Sequence, residues 1–136
     1  MCLIQTHQCK LILIQTKAFN NSILDIFGFT GYSPDDDAII VTFRSTVSIQ
    51  NWVVDLDATQ VTIFFIQVPY PGCSGCQVHQ GFYNAFMGVE GYIRSEIQKL
   101  LALHRDAKIY AAGYSLGSAL TTIACLDINN LFGHCD

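Results

Sequence analysis

The sequence predicts an α/β domain, and three observations predict it. Ala38–Phe43 (Ala-Ile-Ile-Val-Thr-Phe) is an unbroken apolar and β-branched run, the pattern of a strand buried on both faces. From Gly81 to His104 the residues Phe82, Phe86, Val89, Ile93, Ile97, Leu100 and Leu101 recur at helical spacing, as in an amphipathic helix laid on a sheet. Lys108–Ala112 then reads as a strand and Ser118–Ile128 as a helix, with Gly113-Tyr114-Ser115-Leu116-Gly117 at their junction. Strand, helix, strand, helix in this order implies right-handed crossovers and a mostly parallel sheet.

The remaining elements follow in chain order. Residues 1–22 hold one apolar run, Leu11–Ile14, which suits an outer strand or a helix; the stretch is expected to be an N-terminal extension to a domain over 23–136. Ile23–Tyr32 mixes apolar, aromatic and glycine residues and reads as a strand. Ser33-Pro34-Asp35-Asp36-Asp37 is a turn, because Pro presets φ and Asp side chains bond local amides. The Asp run lacks the further ligand spacing of a metal site, and none is expected. Arg44 to Asp55 is a connector holding the single tryptophan, Trp52. Thr59–Val68 is strand-like and stops at Pro69, and Pro69–Cys76 is a tight Gly/Pro/Cys-rich loop. There is no internal repeat and no low-complexity tract.

Composition narrows the class. The 136 residues suit one modest domain, and 7 basic against 11 acidic residues give a net charge of −4 with no basic stripe, which argues against a nucleic-acid partner. Charged residues are 13%, against roughly a quarter in ordinary soluble domains. The chain is 51% hydrophobic with mean hydropathy +0.34. Its apolar runs, such as Leu11–Ile14 and Ile63–Ile66, are far shorter than a membrane span, so the excess reads as buried strands. Six cysteines (Cys2, Cys9, Cys73, Cys76, Cys125, Cys135) are compatible with disulfides and a secretory route. Asn20-Asn21-Ser22 is a glycosylation sequon that has meaning only on that route. Met1–Thr16 is too poor in apolar residues to serve as a signal peptide, so either the true start lies upstream or the chain stays inside; a secreted or lumenal location is expected.

Gly113 to Gly117 form a G-x-S-x-G sequence between a strand and a helix, the setting of a nucleophile elbow. A sharp turn pushes the serine Oγ out of the sheet, the glycines permit strained angles and close approach, and the helix N-terminus faces a developing oxyanion. The alternative is a helix start capped by Ser115. An oxyanion hole needs two donors. Leu116, after the serine, supplies one amide. Thr46, just past the end of the best strand, is placed to supply the other together with a hydroxyl, or else to cap the next turn. Cys73-Ser74-Gly75-Cys76 suits a redox motif or half a zinc site; no second Cys/His pair at finger spacing follows, so no metal or cofactor is expected. His79 precedes the serine and His134 lies at the end of the chain; neither fits the serine–acid–histidine order of this fold.

These residues carry a family resemblance. Phe43-Arg44-Ser45-Thr46, with Asn51-Trp52 and Asp55-Leu56 following, resembles the F-R-G-[ST]…N-W…D-L stretch of class 3 lipases, the fungal-lipase-like α/β-hydrolases. Val78-His79-Gln80-Gly81-Phe82 resembles their V-H-x-G-F motif, and Gly113–Leu120 their elbow. Cys125-Leu126-Asp127 continues like the helix after it, so the resemblance covers residues 23–132.

The resemblance implies a carboxylic ester or lipid hydrolase that works through an acyl-serine intermediate, at a lipid–water interface, without a cofactor. It implies Ser115 as nucleophile, Thr46 and Leu116 as the oxyanion hole, Asp55 as a brace for the Thr46 loop, and Val47–Val54 as a lid with Ile49, Trp52 and Val53 on its apolar side. Core packing is the other role open to Trp52. It also implies a disulfide between Cys73 and Cys76 and a structural role for His79. Ser45 stands where glycine is usual, and Ser118 replaces a glycine where helix and strand approach closely. The family places its acid and histidine beyond residue 136. The expectation is therefore a partial α/β-hydrolase fold lacking the C-terminal strands and inactive alone, the alternative being a non-catalytic lipid- or partner-binding remnant.

Overall fold

The structure is a computed structural model that describes residues 12–22, 25–44, 65–70 and 73–136. Strand β3 (Ala38–Phe43) runs through its centre, with Ala38, Ile39, Val41 and Phe43 buried, as its uninterrupted apolar sequence requires. Strand β2 (Ile26–Ser33) lies antiparallel on one side, from Gly28 opposite Phe43 to Ser33 opposite Ala38. The turn between them is held by its own acids. The Tyr32 hydroxyl donates to Asp37 at 2.7 Å and the Ser33 hydroxyl to Asp36 at 2.8 Å, so two carboxylates of the Asp run are engaged within the hairpin. Strand β1 (Ile14–Asn21) adds antiparallel outside β2. Strands β4 (Phe65–Gln67) and β5 (Gln77–His79) form a separate antiparallel pair across the Cys-rich loop. Strand β6 (Lys108–Gly113) lies parallel on the other side of β3, from Lys108 beside Ala38 to Gly113 beside Phe43.

The four-stranded sheet thus has the order β1-β2-β3-β6, with two antiparallel neighbours and one parallel pair. This corrects the mostly parallel sheet expected from the sequence. The parallel inference holds where a helix separates two strands, as between β3 and β6. The strands before β3 are joined by connections of only four residues, 22–25 and 34–37, and so short a connection reverses direction. A second difference concerns residues 1–22: β1 occupies 14–21 and is a full member of the sheet, so the sheet begins upstream of residue 23. Of the strand expected over Thr59–Val68, β4 is the described part, and residues 59–64 lie outside the described residues.

Helix α1 (Gln80–Leu103) buries Phe86, Val89, Ile93, Ile97 and Leu100, five of the seven positions its periodicity selects, with Phe82 and Leu101 packed at the margin. Helix α2 (Leu116–Phe132) buries Leu120, Ile123, Ala124 and Ile128. Both helices share one core with Phe19, Ile39, Val41, Phe43 and Ile109 from the sheet. The helices are joined by charge as well as packing. Asp127 of α2 is 1% exposed, and its two carboxylate oxygens accept from Nε and an Nη of Arg94 on α1. Arg94 also meets Glu90 one turn back. A carboxylate that deep is tolerable only when bidentate pairing replaces its water. The Asp127 hydrogen bond holds the Arg94 guanidinium above its usual range, against a smaller opposing effect of burial. Tyr70, from the loop after β4, closes this cluster. Burial above all, then the Asp127 charge, push its phenol well above the ordinary value.

The chain after α2 returns to the sheet. Gly133 ends the helix in the left-handed region at φ 89°. Cys135 is bonded to Cys125 of α2. The Asp136 amide donates to the Ile109 carbonyl at 3.0 Å and its carbonyl accepts from the Ala111 amide at 2.8 Å, the parallel pattern, on the outer edge of β6.

Candidate active site

Ser115 sits between β6 and α2 with φ 56° and ψ −122°. A non-glycine residue at positive φ is strained by about 1–3 kcal/mol and persists only where its surroundings impose it. Here they are imposed by two glycines. A Cβ built on Gly113 would lie 2.3 Å from the Gly117 carbonyl oxygen and 2.4 Å from the Thr121 hydroxyl. One built on Gly117 would lie 2.6 Å from the Phe43 carbonyl oxygen. The first turn of α2 therefore folds back against β6 and rests on the last peptide of β3. Neither approach leaves room for a side chain, and the serine between them takes up the turn.

The Ser115 side chain is exposed and makes no capping hydrogen bond. The helix start is closed by its own backbone: the Gly117 amide donates to Tyr114 and the Ser118 amide to Ser115, both at 2.9 Å. The hydroxyl is thus not used as a cap, which removes the alternative the sequence left open. The Leu116 amide has no acceptor among the described residues and opens at the helix N-terminus, where it can donate to an incoming oxyanion.

The opposite wall begins at Arg44, directly after β3. Its amide donates to the Phe27 carbonyl at 2.8 Å, its guanidinium lies 5.1 Å from the Phe27 ring centroid, and a guanidinium nitrogen lies 3.9 Å from Asp25. This fixes the exit of β3 beside Gly117. The positions that would complete the site, Thr46, Asp55 and the lid residues Ile49, Trp52 and Val53, lie outside the described residues, as does Ser45. Of the sequence-predicted site residues, the structure describes Ser115 and Leu116, consecutive at the start of α2.

Ser118 differs from its expected role. Its side chain is exposed and its hydroxyl donates to the Gly113 carbonyl at 3.0 Å, so it ties the elbow rather than crowding it; the tight approach is at Gly117, one residue earlier. His79 caps α1, its Nδ1 accepting from the Gly81 amide at 3.1 Å, with Phe82 against its ring. His134 pairs with Asp136 at 2.9 Å, which raises the prospect of a His–Asp couple after the serine. Its position excludes this. His134 lines a cavity of about 610 Å³ with Arg105, Asp106 and Lys108 at the start of β6, whereas Ser115 follows the other end of that strand. Cys73 and Cys76 are bonded across a Gly75 turn with Cα atoms 5.4 Å apart. Among the described residues no group of His, Cys, Asp and Glu could hold a metal ion, and no described helix is long and apolar enough to cross a membrane.

The features that sequence reasoning missed are the Cys125–Cys135 bond and the Tyr70–Asp127–Arg94 cluster. Both join residues whose proximity depends on how α2 is set, and only the lone acid in an apolar helix, Asp127, signalled either.

A family model described as Lipase (class 3) matches residues 40–132. A secreted alkaline triacylglycerol lipase of Penicillium cyclopium is 33% identical over 109 residues, covering 80% of this chain and 38% of that protein. A lipase of Rhizomucor miehei is 28% identical over 123 residues, covering 90% and 31%. Among solved structures, a triacylglycerol lipase from Penicillium expansum superposes with a TM-score of 0.75 at 27% identity, over 90% of this chain and 46% of its own. The chain spans about a third of the length of these two curated relatives.

Proposed function

Because the chain belongs to the class 3 lipases, we propose that it carries the nucleophile side of a lipid-ester hydrolase site in which Ser115 forms the acyl-enzyme. The observation that carries this reading is the Ser115 backbone at φ 56° and ψ −122°, with a hydroxyl that does not cap α2. A helix start needing only a cap has no use for that strain. In this reading Ser115 Oγ attacks the ester carbonyl, and the oxyanion accepts from the Leu116 amide and from the amide and hydroxyl of Thr46. Asp55 braces the Thr46 loop. The segment with Ile49, Trp52 and Val53 covers the acyl groove in water and turns its apolar side to a lipid surface. The acid and the histidine follow the serine in this fold. Asp127 is held by Arg94 and His134 lies at the far end of β6, so neither is assigned a triad role here. Disulfide-bonded pairs and secreted relatives support a secretory route for the protein.

The test is covalent. A phosphonate ester probe applied to the full-length protein should add its mass to the peptide holding Ser115, and Ser115→Ala should lower ester turnover by at least about a thousandfold without loss of folding. Full turnover in that variant, or labelling elsewhere, would remove Ser115 from the role. Lipid binding with no turnover by the unmutated full-length protein would favour the non-catalytic reading.

A further inference from the structure

The sequon Asn20-Asn21-Ser22 is not used by the hydrolase site, and its place in the fold says what it can do. Asn20 is the penultimate residue of β1, the outermost strand of the sheet, and its side chain is exposed. Ser22 is exposed in the turn that follows. The preceding residue, Phe19, points into the core at 4% exposure, so by strand alternation Asn20 lies on the opposite face. Its cross-strand partner is Phe27 of β2, an aromatic 37% exposed. Directly opposed residues have Cβ atoms about 5 Å apart. Phe27 is in turn bonded through its carbonyl to Arg44. One row across the sheet therefore reads Asn20, Phe27, Arg44.

We propose that Asn20 is an N-glycosylation site and that its first sugar packs on the Phe27 ring. The inference rests on the secretory route argued above. In the step itself, the Asn20 amide nitrogen displaces the pyrophosphate of a lipid-linked oligosaccharide donor from the anomeric carbon. A C–N bond forms, a C–O bond breaks, the amide proton leaves with the pyrophosphate, and no electrons are exchanged. Four features of the site favour acceptance. The asparagine is exposed, the hydroxyl residue lies in a turn, the strand has no outer neighbour among the described residues, and the elbow is three strands away, on the order of 14 Å at ordinary strand spacing. The modification also has a physical consequence. A chain with 13% charged residues has few charges to guard a strand edge that has no outer neighbour among the described residues, and a bulky hydrophilic group there blocks pairing with another chain. The apolar face of the first sugar gains a flat aromatic neighbour, and Phe27 loses exposed area.

The experiment uses the full-length protein secreted from eukaryotic cells, treated with peptide N-glycosidase in heavy-oxygen water. Asn20 should be recovered as labelled Asp, Ser22→Ala should abolish the label, and Asn21→Ala, which keeps the sequon, should retain it. Removing the glycan should lower the melting temperature of the native sequence, and this shift should vanish in Phe27→Ala. Unmodified Asn20 in secreted protein whose Cys73 and Cys76 are crosslinked would overturn the site while leaving the secretory route intact. Protein retained inside the cell with those thiols free would overturn the route and the site with it. An equal melting shift in the native and Phe27→Ala proteins would overturn the contact with the ring.

Discussion

The two edges of the four-stranded sheet are built in different ways. On the β1 side every pairing is between sequence neighbours: β1, β2 and β3 follow one another through connections of four residues and reverse direction each time. On the β6 side the partner of β3 arrives after the whole of α1, and it runs parallel. The first edge is locally specified and exposed; only Phe19 of β1 is buried. The second is assembled from distant segments and clamped, by the Gly117 approach to Phe43, by Arg94 on Asp127, and by the Asp136 amide and carbonyl on β6. The strained serine is found on the second edge. Local pairing makes a scaffold that tolerates change. Positive φ itself occurs on both sides, at Gln15, Asp25 and Asp37 as well as at Ser115; what sets Ser115 apart is the close approach of Gly117 to the last peptide of β3 beside it.

The strongest way to break this comparison is Gly117→Ala. The added methyl meets the Phe43 carbonyl oxygen, backbone that cannot swing aside. The elbow must move, so ester turnover of the full-length protein should fall by at least about a hundredfold, as small displacements of catalytic groups do. The fold should lose about 2–3 kcal/mol, as overpacked sites do. Near-native turnover, measured alongside urea unfolding, would show that the close approach is not what positions Ser115.

Arg94→Met should rank next. It leaves the Asp127 carboxylate buried without its bidentate partner, and removing one member of such a pair costs about 3–5 kcal/mol when both are buried. The Arg94 side chain is 35% exposed, so solvent reaches the pair and about 2 kcal/mol is expected. Asp127→Asn combined with Arg94→Met should recover part of the loss. A loss in the double variant equal to the sum of the single losses would mean that the two side chains do not act as a pair.

Tyr70→Phe sharpens the comparison by pH. The Tyr70 phenol has a raised folded value, so its neutral form is favoured in the fold. Its stabilisation is complete below the free phenol value of about 10 and is lost as pH climbs from there towards the folded value. Melting temperatures from pH 8 to 11 should therefore decline more steeply in the native protein than in Tyr70→Phe. At neutral pH the variant should lose only about 1 kcal/mol, one hydrogen bond. Parallel declines in the two proteins would show that the phenol does not titrate with unfolding.

The smallest effect belongs to the β1 edge. Lys17→Thr replaces an exposed strand residue by a β-branched one and should shift stability by less than about 0.5 kcal/mol in chemical denaturation. A loss comparable to that of Arg94→Met would mean that the local edge is as tightly coupled as the distant one.

Much of this was legible in the residues. Periodicity set β3, α1 and β6 to within a residue or two, since a continuous β-branched run and a helical apolar stripe have few other ways to bury themselves. Gly113 to Gly117 declared the elbow because no side chain but hydrogen fits where strand and helix backbones touch. The Cys73/Cys76 pair could be weighed because three residues of separation limit its geometry. Other properties depended on which segments meet. The direction of β1 and β2 in the sheet, the bond between Cys125 and Cys135, the burial of Asp127 under Arg94 and Tyr70, and the row from Asn20 through Phe27 to Arg44 all join residues that carry no mark of one another in the chain. Sequence pattern reports which face of each element is apolar. Only the packing of α1 and α2 over one sheet decided which polar groups those faces bring together, because that depends on the register and direction of contacts between segments far apart in sequence.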